Sequence, residues 1–160
     1  MNDIRIEQAN PDDATDMAST VGQLLDEIMQ AIGTKAFDFD VGASAQLLRD
    51  FLDSNRYAAF IARDVEGRII GVITLVEGCA LYAGGLMGTI PEFYVEPGWR
   101  SQGVGAALAE TARVHARLRG WKRLEVTTPP LPEFARTLAF YERQGFSVTG
   151  GLKLKLEVQA

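Results

Sequence analysis

The segment from Arg100 to Gly105 carries a cation and two glycines between a strand-like run that ends at Val95 and a helix-like run. Gly103 and Gly105 have no Cβ atoms, so the backbone of this turn can approach a bulky ligand closely. A helix that starts here presents unpaired N–H groups at its positive end, and Arg100 adds a fixed cation. These residues predict a turn that binds a phosphate or pyrophosphate group.

Two other phosphate-binding motifs fit this turn poorly. The third glycine of a G-x-G-x-x-G fingerprint would fall at Leu108, and no acidic residue ends a second parallel strand in the expected unit. A P-loop ends in Gly-Lys-Ser/Thr, but Gly105 is followed by Ala106 and Ala107. We therefore expect neither a Rossmann fold nor a P-loop.

Glu92 and Glu125 stand inside strand-like runs, EFYV and LEV. A carboxylate in such a position is costly to desolvate, so each needs a partner, a cleft or an exposed face. Tyr141 falls on the same helical face as Phe134 and Leu138, and its position alone is typical of a core aromatic residue whose hydroxyl bonds the backbone.

Two other reactive residue types are interpreted structurally. His115 lies on the apolar face of a predicted helix and is expected to be a packed core residue. Cys79 has no nearby histidine pattern and is expected to be a small buried residue. The sequence has no cluster of metal-ligand residues, and no metal is expected.

Composition favours an ordinary soluble protein. The 160 residues are 47% hydrophobic and 23% charged, with a net charge of -5, which predicts one domain over residues 1–160. An acidic chain lacks the broad basic face that nucleic acids require. A single cysteine and the absence of a leader or a long apolar run predict a cytoplasmic protein without a membrane span.

Periodicity predicts an α/β chain in the order strand, two helices, three strands, helix, strand, helix, two strands. The predicted strands cover residues 4–9, 57–64, 68–78, 88–95 and 122–128, with two short strands within 146–158. The predicted helices run from Pro11 to about Gly33, over 44–53, along an apolar face from Val104 to Leu118, and over 133–144. The C-terminal edge strands would allow a homodimer.

Three segments together resemble the GNAT superfamily of acyl-CoA-dependent N-acetyltransferases. RSQGVG, from Arg100, is similar to the family's R/Q-x-x-G-x-G/A motif. EFYVEPGWR resembles the strand before that motif, and FYERQGF resembles a later family segment. The resemblance covers roughly residues 88–146 and implies the GNAT fold, an α/β architecture with a mixed, mostly antiparallel sheet of six to seven strands flanked by about four helices.

The resemblance also implies that acetyl-CoA binds as a co-substrate. The strands ending at Val95 and containing Glu125 would splay apart, with the pantetheine arm against residues 93–95 and the pyrophosphate against residues 101–106. The implied cofactor-binding residues are Phe93, Tyr94, Val95, Arg100, Ser101, Gln102, Gly103, Val104, Gly105 and Ala106.

For catalysis, the resemblance places Tyr141 as the general acid that protonates the departing thiolate. It supports both Glu92 and Glu125 as general bases acting through water, and water with backbone alone is the remaining alternative. Phe134 departs from the family, which often has an asparagine seven residues before the tyrosine.

The resemblance implies direct acyl transfer to an amine and leaves the acceptor open among polyamines, aminoglycosides and basic peptides, which an acidic protein attracts. A transferase for protein N-termini or lysines is a further option. The alternative of another class is a GNAT-like module that binds acyl-CoA without turnover.

Overall fold

Helix α1, Ala14–Ile32, shows how local sequence sets the limits of an element. The Asn10 side chain accepts the Asp12 N–H at 2.9 Å, and the Asp13 carboxylate accepts the Asn10 N–H at 2.9 Å. Pro11 opens a single 3-10 turn before the helix, because its fixed φ suits a first helical position. Gly33 ends the helix at a left-handed φ of 68°, as the sequence predicts.

The computed structural model describes residues 3–159. The other helices are α2 Val41–Asp53, α3 Val104–Leu118 and α4 Ala135–Arg143. The strands are β1 Arg5–Gln8, β2 Ala58–Arg63, β3 Ile69–Ala80, β4 Gly85–Ile90, β5 Phe93–Val95 and β6 Leu124–Val126. Helix α2 begins at Val41 rather than the predicted Ser44, because the Asp40 carboxylate accepts the Ala43 N–H at 2.8 Å and caps the helix.

The six strands form one mixed sheet. Its order is β1-β2-β3-β4-β6, and β5 pairs with β3. The β4–β6 pair is parallel and the other pairs are antiparallel. This topology confirms the mixed, mostly antiparallel sheet that the resemblance implied.

Helices cover both faces of the sheet, and alternate residues of β2 enter different cores. Phe60 and Ala62 pack on the α3 side with Val104, Leu108 and Ala112. Ala59 and Ile61 pack on the opposite side, against α1 and α2, with Met17, Val21, Leu48 and Leu52. The two cores hold α1 and α3 against opposite faces of β3 and β5.

His115 occupies the packed position that the sequence predicts. Its ring centroid lies 5.5 Å from that of Phe60 and 5.3 Å from that of Trp121. Burial lowers the pKa of the imidazole. Leu118, placed by periodicity on the same apolar face, is instead 81% exposed at the end of α3.

The prediction of one continuous strand over residues 88–95 is wrong, because the segment is divided into β4 and β5. Val76 pairs with Thr89 and Ile73 with Phe93, so three residues, 90–92, oppose two residues, 74 and 75. The extra residue is a β-bulge, and Pro91 within it has no N–H to donate. The bulge shifts the register by one residue and so sets the side of the sheet to which the next residues point.

The prediction of two short strands within residues 146–158 is also wrong. The structure assigns no strand between the end of α4 and residue 159. Leu152, Leu154 and Leu156 are 93%, 87% and 88% exposed. Alternating leucine and lysine give a strand one apolar face, which needs a neighbouring element to cover it.

The prediction that Cys79 is buried is wrong, because Cys79 is exposed near the C-terminal end of β3. Among residues 3–159, no helix is both long enough and apolar enough to cross a membrane. In the same part of the chain, no three or more His, Cys, Asp or Glu side chains are grouped as metal ligands.

Candidate active site

The turn that leads into α3 has two residues in the left-handed region. Ser101 has a φ of 61° and Gly103 a φ of 88°. This conformation costs a non-glycine residue about 1–2 kcal/mol. The N–H groups of Val104, Gly105 and Ala106 have no intrahelical acceptors because they stand in the first turn of α3. Gly103 has no side chain that could cap them. These donors and the positive end of the helix dipole can hold an anion.

Strand β5 offers one edge to β3 and leaves the other open. The Glu92 carbonyl accepts the Thr74 N–H at 3.0 Å. Because alternate residues of an antiparallel strand direct their N–H and C=O groups to opposite sides, Phe93 and Val95 direct theirs away from β3. Within residues 3–159, β5 pairs with β3 alone and β6 pairs with β4. The two strands therefore part, and the free edge of β5 can bind an extended ligand.

A cavity of about 550 Å³ lies along this free edge, between the turn, α1 and α4. Its size is within the range of about 300–1,000 Å³ typical of small-molecule sites. The predicted site residues that line it are Phe93, Tyr94, Val95, Arg100, Ser101, Gly103, Gly105, Ala106 and Tyr141. The structure thus brings most of the predicted residues to one place.

Two predicted cofactor residues do not line the cavity with their side chains. The Gln102 side chain donates to the Gly98 carbonyl at 2.9 Å. Val104 is 1% exposed and packs in the core beneath α3. Any contact of these residues with a ligand would come from the backbone.

The Arg100 guanidinium is already engaged within the protein. It donates to the two carboxylate oxygens of Glu27 at 2.7 and 3.1 Å, and its Nε donates to the Val95 carbonyl at 2.8 Å. It also lies 5.3 Å from the centroid of the Tyr94 ring. Arg100 therefore connects β5 to α1, and the Glu27 carboxylate balances much of the positive charge that Arg100 was expected to offer to a phosphate.

The two glycines of the turn serve different purposes. At Gly103, a Cβ would meet no atom within 4 Å, so the residue is open towards the cavity, but its φ suits glycine. At Gly105, a Cβ would lie 3.1 Å from the ring of Phe140. Gly103 is thus required by the turn, whereas Gly105 allows α4 to pack closely on α3.

Tyr141 lines the cavity and lies 6% exposed in a group of aromatic rings. Ring centroids of Phe93, Phe140 and Phe146 lie 6.1, 5.6 and 5.4 Å away. Burial raises the pKa of Tyr141 to about 12. Because that pKa lies far above 7, the hydroxyl is protonated at neutral pH. Across residues 3–159, no group hydrogen-bonds it, so it can donate to a ligand.

Sequence reasoning missed the part of the cavity that α4 provides. Arg136 and Arg143 line it, and their separation of two helical turns places them on one face. That spacing, close to the FYERQGF segment, was the available signal. Phe134 also lines the cavity and is 9% exposed, so a ring occupies the position where the resemblance leads one to expect an amide.

Glu92 lies in a second cavity on the α1 and α2 side of β5. One carboxylate oxygen accepts the Thr74 hydroxyl at 2.6 Å, and the other accepts the Tyr57 hydroxyl at 3.2 Å. Burial raises the pKa of Glu92 above its ordinary value of 4.5, against the opposing effect of the two hydrogen bonds. Burial and the Glu92 charge raise the pKa of Tyr57. A carboxylate with a raised pKa is a stronger base than an exposed one.

Glu125 is held in an exposed ion pair instead. The Arg123 Nε donates to its carboxylate at 2.8 Å, and the Tyr82 hydroxyl donates to it at 3.3 Å. The Arg123 guanidinium lies 4.6 Å from the centroid of the Tyr82 ring. Glu125 lines neither of the two cavities described above. The geometry favours Glu92 as the candidate base.

Comparison with known families gives a match over more than half of the chain. A model of the acetyltransferase (GNAT) domain matches residues 55–148, which include the turn, Glu92 and Tyr141. A search of curated proteins found no match.

Solved structures share the fold. A predicted acetyltransferase from Clostridium acetobutylicum, solved with acetyl-CoA, has a TM-score of 0.78 at 18% identity, covering 96% of both chains. An aminoglycoside acetyltransferase from an uncultured soil metagenomic sample has a TM-score of 0.72 at 19% identity, covering 98% of this chain and 97% of that one. A ribosomal-protein-alanine N-acetyltransferase from Brucella melitensis biovar Abortus 2308 has a TM-score of 0.68 at 21% identity, covering 99% and 100%.

Proposed function

The chain belongs to the GNAT family of acyl-CoA-dependent N-acetyltransferases, and from that premise we propose that it transfers an acetyl group from acetyl-CoA directly to a primary amine. The observation that carries the proposal is the free edge of β5, which leads into the left-handed turn and the N-terminus of α3. A ligand with an extended amide-bearing arm and a pyrophosphate matches both features.

On the cofactor side, the backbone does most of the binding. The N–H groups of residues 103–106 would hold the pyrophosphate. The N–H and C=O groups of Phe93 and the N–H group of Val95 would pair with the pantetheine arm, since the Val95 carbonyl already accepts the Arg100 Nε. Arg136 and Arg143 add cations at the rim of the cavity. Bound acetyl-CoA supplies the acyl group as a thioester.

Transfer requires two proton movements besides the exchange of bonds. A C–N bond forms while the C–S bond breaks, the amine loses a proton, and the thiolate gains one. We assign proton uptake to the Glu92 carboxylate, directly or through water. We assign hydrogen bonding to the departing sulfur to the Tyr141 hydroxyl, and the thiolate then takes its proton from water. Glu125, paired with Arg123, is assigned neither role.

We further propose a cytoplasmic homodimer. Leu152, Leu154 and Leu156 are exposed, and within residues 3–159 the edge strand β6 pairs with β4 alone. Two copies could cover these residues by pairing the C-terminal segment of one with β6 of the other. Sedimentation analysis of the full chain, compared with a Leu154→Asp variant, tests this: a dimer lost in the variant supports it, and a wild-type monomer rejects it.

The function is tested by release of free thiol from acetyl-CoA in the presence of diverse amines. Calorimetry on the same preparation measures acetyl-CoA binding separately. Amine-dependent thiol release with an acetylated product supports transfer. Acetyl-CoA binding without thiol release from any amine would support the alternative of a non-catalytic binding module, and failure of acetyl-CoA to bind would reject both.

A further inference from the structure

The cavity that contains Glu92 is small and mostly apolar. It has a volume of about 180 Å³ and lies between α1, α2 and the segment that joins them. Its apolar walls are Ala18, Val21, Phe39, Leu47, Leu48 and Phe51. The apolar walls therefore surround a single carboxylate among its lining residues, that of Glu92.

The Glu92 carboxylate retains capacity for a cation. An ionised carboxylate has about four acceptor positions on its two oxygens. Thr74 and Tyr57 each donate to one oxygen, which leaves the other positions open. The two hydroxyls also fix the orientation of the carboxylate, so Thr74 and Tyr57 are positioning residues for an incoming ammonium group.

The two cavities are lined by neighbouring residues at the start of β5 and on α1. Glu92 lines the small cavity and the next residue, Phe93, lines the cofactor cavity. On α1, Val21 lines the small cavity, and Leu24, one helical turn later, lines the larger one. An amine bound at Glu92 would therefore lie at the residue that directly precedes β5.

Size and charge restrict the amine that can enter. A cavity of about 150 Å³ with apolar walls holds one benzene molecule, so the space at Glu92 admits an aromatic ring or a branched alkyl chain. A second ammonium group inside would be desolvated without a carboxylate partner, which is costly.

We propose that this cavity is the acceptor site and that it selects a primary amine carried on a small aromatic or branched aliphatic body. The ammonium group pairs with Glu92, and the body lies against α1 and α2. This inference rests on the proposed acetyl transfer and deepens it. It disfavours polyamines and aminoglycosides, which carry several ammonium groups.

The test compares kcat/KM for 2-phenylethylamine and isopentylamine with that for spermidine and kanamycin. We expect the first pair to exceed the second by at least about tenfold, the lower range of discrimination by an apolar pocket. Ser44 is half-buried in the wall of the cavity, whereas its neighbour Ala43 is exposed on the same helix. Ser44→Trp should fill the cavity and lower kcat/KM for 2-phenylethylamine by about tenfold or more, whereas Ala43→Trp should change it by less than about threefold.

Ser44→Leu, a smaller addition, provides a second variant if the tryptophan prevents folding, and acetyl-CoA affinity serves as the folding control. Preference for spermidine or kanamycin, or equal effects of Ser44→Trp and Ala43→Trp, would overturn the inference. If no amine is acetylated, the proposed function fails but the site is still tested by calorimetry with 2-phenylethylamine. Binding weakened by the Ser44 variants supports the site, and no binding rejects it.

Discussion

The two sides of β5 are built from different parts of the chain. On the side of α3 and α4, the groups offered to a ligand are largely backbone groups of Phe93 and Val95 on the free edge of β5 and N–H groups of residues 103–106. On the side of α1 and α2, the offered groups are side chains, and Glu92 depends on Thr74 and Tyr57 for its orientation. Backbone groups are present whatever the side chains are, whereas a side-chain site changes with each substitution.

This difference predicts how each side fails when mutated. The cofactor side should be sensitive to changes of backbone conformation and of space beside the turn. The acceptor side should be sensitive to the chemistry of single side chains. Substitutions that leave the fold intact can therefore separate cofactor affinity from turnover.

The largest effect is expected at Glu92. Glu92→Gln should lower kcat/KM at neutral pH by about 10²–10⁴-fold, the usual contribution of a general base, while acetyl-CoA affinity stays close to wild type. The wild-type rate should fall as pH falls through the pKa of Glu92, because only the carboxylate accepts a proton. Since burial raises that pKa above 4.5, the acid limb should lie above the range of an exposed glutamate.

Glu125→Gln is the matched control, because it makes the same change in an exposed ion pair outside both cavities. It should retain nearly full turnover. Glu92→Gln should recover partly as pH rises and the amine loses its proton unaided. Equal and pH-independent losses in both variants would remove the distinction between the two glutamates.

The next largest effect concerns Gly103. Gly103→Val should weaken acetyl-CoA binding by about 100-fold, or about 2.8 kcal/mol, because a side chain would project from the turn into the cavity. Gly67→Val is the control: Gly67 also has a left-handed φ, 82°, and open space around it, but lies in the β2–β3 turn. Both variants carry similar backbone strain, and only Gly103→Val should lose affinity by calorimetry.

Gly103→Asn separates strain from obstruction further, since asparagine tolerates a left-handed φ better than valine. If its affinity for acetyl-CoA equals that of the wild type while its stability is unchanged, the turn does not lie against the ligand. Equal loss of affinity in Gly67→Val would likewise show that strain, and not the location, causes the effect.

The difference between the two sides of β5 also explains which parts of the structure could be predicted from the sequence. The turn and the start of α1 depend on residues close in sequence, such as Asn10 with Asp13 and Ser101 with Gly103. Their structures follow from local preferences for φ and for capping, so the sequence indicates them directly. The free edge of β5 was inferred from the family resemblance rather than from local preference.

The surroundings of Glu92 could not be predicted in this way. Thr74 and Tyr57 lie 18 and 35 residues away along the chain, and the β-bulge at residues 90–92 determines the register that brings them together. No local preference specifies such a register. The pairing of Arg100 with Glu27, 73 residues apart, was missed for the same reason.

The C-terminal segment shows the opposite failure, in which a clear pattern does not give the expected element. Leu152, Lys153, Leu154 and Lys155 alternate as a half-buried strand would. The pattern predicts which face of the segment is apolar, but it does not specify which element packs against that face. In the single chain described over residues 3–159, these leucines are exposed.

The smallest effect is expected at Tyr141, and its size is informative. The Tyr141 pKa of about 12 lies above that of an ordinary thiol, about 8.5, so full proton transfer to the departing sulfur is unfavourable. The hydroxyl then acts mainly as a hydrogen-bond donor, and Tyr141→Phe should lower kcat by about tenfold, below the usual range of acid–base catalysis. A structural hydroxyl would behave differently, because its loss would lower the free energy of unfolding by about 1–3 kcal/mol and leave turnover per folded molecule unchanged. Measuring kcat, acetyl-CoA affinity and melting temperature on one preparation distinguishes these roles, and a stable variant with full activity would exclude both.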